Sequence, residues 1–414
     1  MNFKLLALIL LTVVYAYKLF TLFLERRSFS NPIPANVSDI YDRETYAKWR
    51  AYSAEKSFWQ FVSAVASYVL TFVLLLTDAF SRFAGLFGGN IYLSSCAVTL
   101  LSLVADTVLS CVFAYVDDMI VEQKYGFNNT KGKTFVADQI KGFVIGLLLN
   151  IGLTMLLLGL HKWLGDYLVI AFAVALFVII LFISFLFPFL TKIFNKFTPL
   201  EDGELRQKLT ALLEKNGYKV RAIQVMDASR RSNKSNAYFT GFGKTKTIVL
   251  YDTLVASSTP DEICAVFAHE MGHGLNKDTL KNQAFSFVNI ALMALCAYLT
   301  VKYDALFKPF GFDGVNYGMA LILVGEIEMA LLSPLLGLFT SWRSRKAEYR
   351  ADEQAVKEGY GDELVSALKT LARKNFAHLA PSPLIVKLEY SHPTLSQRID
   401  AIEKEKAKTR TEGV

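Results

Sequence analysis

Two histidines and a glutamate lie within five consecutive residues of the chain, and together they could perform hydrolytic chemistry. His269 and His273 are four positions apart, and Glu270 directly follows the first of them. On a helix, both imidazoles would lie on one face and could bind a single cation, with Glu270 beside it. This spacing is typical of zinc-dependent hydrolysis, in which the glutamate is general base toward a metal-activated water. The alternative is a solvated helix with two polar histidines.

A third metal ligand is predicted far along the chain. A catalytic zinc usually takes three protein ligands and leaves one position open for water. Glu348 suits this role, and Asp352 lies one helical turn further on, where it could orient a ligand histidine. Taken alone, this charged stretch would be a solvated helix. Beside the histidine pair, ligation is the favoured interpretation, and we predict one Zn²⁺ per chain.

The elements that position these residues are expected to be a helix and a small sheet. Asp261 and Glu262 favour a helix start after Pro260, since acidic residues are common in a first turn. A small β-sheet is expected near residues 236–251. Within it, residues 241–246 lack the spacing of a phosphate-binding loop, and a hairpin turn is the favoured interpretation.

The composition of the whole chain indicates a membrane protein with a sizeable polar part. Hydrophobic residues make up 53% of the 414 residues and charged residues 20%, whereas the 24 Gly, 10 Pro and 4 Cys exclude collagen, disorder and a small disulfide scaffold. Seven stretches approach the roughly 20 apolar residues that a membrane-spanning helix needs. These predicted spans, numbered one to seven, are 3–24, 58–77, 92–116, 143–160, 168–190, 285–301 and 317–339.

Several polar residues fall inside these spans, and ionisable groups are costly in lipid. We expect them to face the interior of the helix bundle, water or another helix, and at least one of Glu326 and Glu328 must do so because residues two apart cannot share a helix face. Among them are Asp106, Asn150, Glu326 and Glu328.

The positive charge of the chain follows from its predicted topology. The net charge is +7, and with the N-terminus outside, the inside segments hold 38 of the 44 basic residues. This asymmetry is the one that the positive-inside rule predicts, so binding of nucleic acid is not expected. Both long polar segments, 192–283 and 342–414, then lie on the cytoplasmic side, where they can build one site together.

The predicted fold is mainly α, with seven transmembrane helices and a cytosolic α+β metalloprotease domain. The first part is a membrane domain with spans one to five (1–191), and a cytosolic zinc-protease domain with the histidine pair follows (192–283). Spans six and seven come next (284–341). A C-terminal cytosolic part that completes the zinc site ends the chain (342–414).

The motifs taken together resemble the CAAX prenyl endopeptidase family, the integral-membrane zinc metalloproteases of the a-factor-converting type. The His-Glu-x-x-His pattern with a distant Glu-x-x-x-Asp inside seven spans is similar to that family, and so are several other stretches from about Tyr125 onward. These are 194–200, 226–227, 235–241, 248–254 and 391–393 with Arg398. The resemblance implies seven helices that enclose a water-filled chamber, capped by the zinc domain.

The same resemblance implies roles for residues that composition and spacing alone would not single out. His392 would donate to the oxyanion of the tetrahedral intermediate, with Arg398 as a supporting cation nearby. Asn236, Ala237 and Tyr238 would form a shelf to which an extended substrate adds as a further strand. Without the resemblance, His392 would be a surface turn residue and the shelf an ordinary short strand.

The activity predicted from these features is peptide-bond hydrolysis near the C-terminus of prenylated CAAX substrates. One alternative is a membrane quality-control metalloprotease with non-prenylated substrates, although such proteases have fewer spans. Another is a transporter with structural zinc, which the scattered cysteines disfavour because structural sites are rich in cysteine.

The expected partners and membrane follow from the same resemblance. The partners would be a peptide or lipidated-peptide substrate and membrane lipid, and a monomer is expected. The compact soluble segment lacks the long insertion of some eukaryotic members of the resembled family. We therefore favour a bacterial inner membrane over the endoplasmic reticulum membrane, with the catalytic domain in the cytoplasm.

Overall fold

The computed structural model describes residues 3–217, 222–240 and 247–412. It is mainly helical, with one small sheet, as predicted. The α-helices are α1 (Phe3–Ser28), α2 (Arg43–Leu76), α3 (Ala79–Gly85), α4 (Ile91–Ala114), α5 (Gly132–Leu164), α6 (Leu168–Phe194), α7 (Glu204–Lys215), α8 (Asp252–Ser257), α9 (Pro260–Leu275), α10 (Asp278–Lys302), α11 (Tyr317–Leu323), α12 (Ala330–Lys357), α13 (Gly361–Lys374), α14 (Pro383–Leu388) and α15 (Leu395–Glu412). The strands are β1 (Phe197–Pro199), β2 (Ala222–Met226), β3 (Ala237–Thr240) and β4 (Thr247–Tyr251).

Seven helices in the described part of the chain are long and apolar enough to cross a membrane, and they confirm the seven predicted spans. The helices that correspond to spans one to seven are Phe3–Ser28, Arg43–Leu76, Ile91–Glu122, Gly132–Leu164, Leu168–Leu186, Asp278–Lys302 and Tyr317–Lys357. Two of them contain π-helical segments: Tyr115–Glu122 extends α4, and Val324–Met329 joins α11 to α12. The seventh helix continues well past its apolar part and carries Glu348 and Asp352.

The polar residues inside the spans agree in part with the expectation for them. Glu328 accepts a hydrogen bond from the hydroxyl of Thr300 in span six at 2.8 Å, so one of the two glutamates meets another helix, as predicted. Asp106 accepts a hydrogen bond from Ser102 on its own helix. Asn150 donates to the carbonyl of Gly146, one turn earlier.

The sheet lies in the soluble part and has the order β1-β2-β4-β3. β2 and β4 are parallel, whereas β1 and β3 pair with their neighbours in antiparallel fashion. The expected sheet near residues 236–251 is therefore confirmed, and among the described strands β3 stands at the edge, paired on one side. The predicted hairpin turn at 241–246 lies outside the described residues.

One hydrophobic core joins the two long polar segments of the chain. Ile248 and Leu250 of β4 pack against α9, where Phe267 and Met271 are fully buried. Ala355 of α12 and Ile402 of α15 belong to the same cluster. Residues on either side of spans six and seven therefore fold together, which brings the two predicted halves of the metal site into one domain.

Candidate metal centre

Helix α9 carries the histidine pair, and its start is strongly determined by the local sequence. Thr259 precedes the helix and its hydroxyl accepts the backbone N–H of Glu262 at 3.2 Å. The Glu262 carboxylate accepts the backbone N–H of Thr259 at 2.8 Å in return, completing a capping box. The helix begins at Pro260 itself rather than after it, because a proline in the first turn has no N–H that would need a partner.

The helical spacing places the two imidazoles beside each other on one face of α9. Their ring centroids are 4.9 Å apart and the ring planes are nearly perpendicular. His269 is buried and His273 is partly exposed. Each ring nitrogen Nδ1 contacts a carboxylate, as described below, so that both Nε2 atoms are available for a ligand between them.

Glu348 of α12 lies directly opposite this pair. Its carboxylate oxygens are 3.5 Å from His269 Nε2 and 3.3 Å from His273 Nε2. One ligand atom from each of the three residues lies within 4.8 Å of the others, which is the arrangement of a three-ligand metal site. The Oε2 atom of Glu348 is buried and accepts no hydrogen bond from any described residue. A cation between the three side chains would satisfy this oxygen.

Gly272 allows α9 and α12 to approach closely enough to form the site. A Cβ atom at this position would lie 2.8 Å from the Cα of Ala351 and 3.0 Å from the Cβ of Gln354. Contacts below 3.0 Å are not tolerated without movement of the backbone. The glycine between the ligands therefore sets the distance between the histidine helix and the glutamate helix, and the sequence analysis did not identify this role.

Asp352 lies one turn beyond Glu348, and its carboxylate contacts His269. Its Oδ1 is 2.8 Å from His269 Nδ1. Arg398 of α15 donates to both oxygens of the same carboxylate, at 2.9 and 2.6 Å. The third guanidinium nitrogen, Nη1, lies 3.4 Å from Glu348 Oε2. Arg398 thus connects the third candidate ligand with the residue that orients the first.

His273 has a corresponding support that was not predicted from the sequence. Asp278, at the start of α10, has its Oδ2 3.1 Å from His273 Nδ1, and Arg350 donates to the other oxygen at 2.9 Å. Asp278 follows His273 by five residues. The sequence feature that could have identified it is therefore a carboxylate close to the histidine motif, just beyond the end of α9. Lys277 adopts a left-handed backbone conformation with φ of 55°, which turns the chain back toward the histidine.

The electrostatics of the site favour a positive charge between the ligands. Burial lowers the pKa of His273, but the carboxylates of Glu348 and Asp278 reverse this and raise it to about 9. Burial raises the pKa of the Glu270 carboxyl above its ordinary value, against the lowering effect of His269 and His273. Divalent cations replace protons at such positions. The residues present, two imidazoles and one carboxylate, are also a donor set that zinc prefers.

His392 lies on the open side of the same centre. Its Nε2 is 3.4 Å from Glu348 Oε1 and its side chain is 61% exposed, so it faces the space above the ligands. Ser391 is hydrogen-bonded to its Nδ1 at 2.8 Å. The preceding residue, Tyr390, is held through its carbonyl by Arg345 at 2.7 Å. These contacts bring the loop of His392 to the metal centre, where its imidazole could meet a bound molecule.

The predicted substrate shelf also lies close to the site. Ala237 and Tyr238 line a small, mostly apolar pocket together with Glu270 and residues of α9. Asn236 is exposed just before β3, and its side-chain oxygen accepts the backbone N–H of Ala237 at 2.8 Å. It does not line this pocket. All ten predicted site residues therefore lie in one region of the soluble part. Three of them are the candidate ligands, and Asp352, Arg398 and His392 contact these ligands directly. Ala237 and Tyr238 instead share a pocket with Glu270.

Comparison with known families gives two matches that together cover nearly the whole chain. A family model described as Peptidase family M48 matches residues 199–406. A second one, described as CAAX prenyl protease N-terminal, five membrane helices, matches residues 24–196. The first contains all the candidate site residues, and the second contains most of the first five spans.

Individual proteins are similar over the same length. CAAX prenyl protease 1 homolog of Arabidopsis thaliana is 32% identical over 91% of this chain and 92% of its own length. CAAX prenyl protease 1 of Saccharomyces cerevisiae is 31% identical over 90% and 88%. Among solved structures, that of S. mikatae Ste24p superposes with a TM-score of 0.91 at 29% identity, over 97% of this chain and 99% of that one.

Proposed function

Because the chain belongs to peptidase family M48, among the CAAX prenyl proteases, and is thus a multi-pass membrane metalloendopeptidase, we propose that it is a zinc enzyme that cleaves prenylated CAAX peptides near their C-terminus. The observation that supports this most strongly is the convergence of His269, His273 and Glu348 within 4.8 Å. The family resemblance predicted from the sequence is confirmed; the substrate and the mechanism are our proposal.

The donor set favours zinc, held by His269, His273 and Glu348. When bound, zinc supplies Lewis-acid chemistry, since it polarises a carbonyl and lowers the pKa of water to about 7. Asp352 fixes the tautomer and orientation of His269 by accepting its Nδ1 proton at 2.8 Å. The open side of the site, toward His392, is where substrate and water would enter.

Glu270 would act as the general base. It follows His269 directly on α9, where its carboxylate can take a proton from water and later pass it to the leaving amine. His392 would donate a hydrogen bond to the carbonyl oxygen as negative charge develops there. Its exposed imidazole, held by Ser391 at 2.8 Å, suits this role. Arg398 would support both steps as a nearby cation.

The edge strand β3 would bind the peptide. Its free edge offers backbone N–H and C=O groups, and an extended substrate could add to it as a further strand. Asn236, Ala237 and Tyr238 would then lie along the bound peptide, and the pocket that Ala237 and Tyr238 share with Glu270 places this strand beside the proposed base.

The names of the similar proteins and the seven membrane helices support the proposal of a lipidated substrate. The names of the similar proteins refer to prenylated CAAX substrates, and an isoprenoid tail partitions into lipid. We propose that the spans enclose a chamber, that residues 192–283 and 342–414 face the cytoplasm, and that the enzyme acts as a monomer. A bacterial inner membrane remains the prediction from the compact soluble segment.

The test compares matched farnesylated and unmodified CAAX peptides with the purified protein in lipid vesicles. We expect cleavage of the farnesylated peptide, abolished by a chelator and restored by zinc. Glu270→Gln should reduce kcat by about 10²-fold to 10⁴-fold while the protein keeps one equivalent of metal. Glu353→Gln is the matched control, because this glutamate lies on α12 beside Asp352 but pairs only with Lys357 among the contacts described.

Three outcomes would contradict parts of the proposal. Equal cleavage of both peptides would remove the prenyl requirement and favour a protease with broader substrates. Full activity of the Glu270→Gln variant would exclude this residue as the base. Failure of the wild type to cleave any CAAX peptide, with metal bound, would reject the proposed substrate class.

A further inference from the structure

A buried carboxylate outside the metal centre connects the membrane helices to the soluble part. Glu122 ends the π-helical segment of span three and is only 7% exposed. It accepts hydrogen bonds from the Tyr52 hydroxyl at 2.6 Å, from Lys56 Nζ at 2.5 Å and from Lys234 Nζ at 2.9 Å. A buried carboxylate is costly unless it is paired in this way. Neither the metal centre nor the proposed mechanism uses this group.

Lys234 is the partner from the soluble part, and it comes two residues before the shelf residue Asn236. Its ammonium group lies 4.9 Å from the ring centroid of Phe127 and 5.7 Å from that of Tyr52. Charge-assisted hydrogen bonds and cation–π contacts are both stronger in a partly desolvated site. The side chain of Lys234 is therefore fixed against spans two and three and against the loop that follows span three.

The backbone on both sides of Lys234 is fixed as well. The N–H of Asn233 donates to the Phe127 carbonyl at 3.0 Å, and its side chain donates to the Gly126 carbonyl at 2.8 Å. On the other side, Ser235 exchanges two hydrogen bonds with the side chain of Asn375, at 3.0 and 3.1 Å. The residues that lead into β3 are thus held between the membrane domain and the C-terminal part.

This anchoring matters because β3 is an edge strand. Among the strands that the structure describes, only β4 pairs with it, through the register Ala237 opposite Leu250 and Tyr238 opposite Val249. The position of the strand relative to α9 and Glu270 therefore depends on how its beginning is held. A peptide bound to the free edge would move with the strand, and a misplacement of about 1 Å can cost about 10²-fold in rate.

We propose that Glu122 is a positioning residue for the peptide: by binding Lys234, it fixes the start of β3, so that spans two and three set the register in which the substrate meets Glu270. This inference rests on the proposed function, since it concerns substrate bound to the shelf. In this proposal the membrane domain takes part in peptide binding. This role does not require the membrane domain to contact the metal.

Lys56 provides a matched control within the same cluster. It binds the same oxygen of Glu122 and also lies 3.2 Å from Asp117, but it belongs to span two and contacts no residue of the shelf in the hydrogen bonds and ion pairs described. If Glu122 merely stabilises the fold, loss of either lysine should have similar consequences. If it positions the shelf, only the loss of Lys234 should affect peptide cleavage.

The experiment measures kcat, KM and the cleavage position for a farnesylated CAAX peptide with the full-length protein in vesicles. The variants are Lys234→Met, Lys56→Met, Glu122→Gln, the Glu122→Gln/Lys234→Met double variant and Lys234→Arg, each checked for metal content. We expect Lys234→Met and Glu122→Gln to lower kcat/KM about tenfold, mainly through KM, below the 10²-fold of a 1 Å misplacement. A minor product cut at a neighbouring bond should appear.

The remaining variants separate positioning from stability. Lys56→Met should stay within about twofold of the wild type, and Lys234→Arg should recover most of the loss because it keeps the ion pair. The double variant should be no worse than either single one, since both remove the same interaction.

Several results would overturn this inference. They are equal losses in Lys56→Met and Lys234→Met, an unchanged KM in Lys234→Met, or a loss accompanied by loss of metal. The failure of the proposed function would look different, because the wild type itself would then leave the CAAX peptide intact.

Discussion

The two histidines of the metal centre are supported in contrasting ways. His269 is 8% exposed, and the Asp352 carboxylate that contacts its Nδ1 is 2% exposed. His273 is 23% exposed, and its partner Asp278 is held at the longer distance of 3.1 Å. The inner support comes from α12 and is fixed by Arg398 of α15, far along the chain. The outer support comes from the neighbouring helix α10.

This difference indicates that the two sides contribute differently to the site. On the inner side, Asp352 has both of its oxygens paired with one guanidinium. In a low-dielectric environment such pairs are strong, and the loss of one partner is costly. On the outer side, Arg350 is partly exposed and Lys281 lies 3.8 Å from Asp278, so that solvent can replace a lost contact.

The largest effect is expected from Asp352→Asn on the inner side. The variant removes the closer of the two carboxylate charges beside the largely buried guanidinium of Arg398 and weakens the orientation of His269. We expect zinc affinity to fall about 100-fold and the free energy of unfolding to fall by about 3 kcal/mol. Competition with a chromogenic chelator measures the affinity, and thermal unfolding in detergent measures the stability.

The same measurements on Glu353→Gln, the adjacent residue on α12, provide the control. This variant should bind zinc and unfold like the wild type. An Asp352→Asn variant that retained the wild-type affinity for zinc would contradict the view of the inner side as the rigid support of the site.

A smaller effect is expected from Arg398→Met, which removes the fixing group but leaves the contact between Asp352 and His269. Because a bound divalent cation would offset part of the lost positive charge, we expect zinc affinity to fall about tenfold, with a loss of kcat of similar size. Arg398→Lys should recover only part of it, since an ammonium group cannot reproduce two parallel hydrogen bonds to a carboxylate. If Arg398→Met lowered kcat but left zinc affinity unchanged, the main role of Arg398 would be at the reacting carbonyl rather than in holding Asp352.

The sequence was informative about the inner side because helical periodicity is visible in it. The i, i+4 spacing of His269 and His273, and that of Glu348 and Asp352, predicted two ligand-bearing helix faces. Hydropathy identified all seven spans. The conclusion that the two helices meet depended on topology and on resemblance, and the structure adds the physical reason, a close approach at Gly272.

The sequence could not reveal contacts that depend on a turn or on long-range packing. Asp278 reaches His273 because Lys277 reverses the chain in a left-handed conformation, and no pattern of residue types predicts this at a lysine. Glu122 and Lys234 are separated by 112 positions. Their pairing follows from the way the soluble part sits on spans two and three, which periodicity does not contain.

The smallest effect is expected from Asp278→Asn on the outer side. The amide oxygen can still accept the Nδ1 proton of His273, and water can reach the His273 side chain, which is 23% exposed. Zinc affinity should therefore fall only about threefold to tenfold, at or below the lower end of the tenfold to 100-fold that such partners typically contribute, with a loss of stability below about 1 kcal/mol. The same chelator competition measures it, and Lys281→Met, which removes only the 3.8 Å contact, is the control. A loss as large as that in Asp352→Asn would mean that both histidines depend equally on their carboxylates, and burial would then not explain how the site is held.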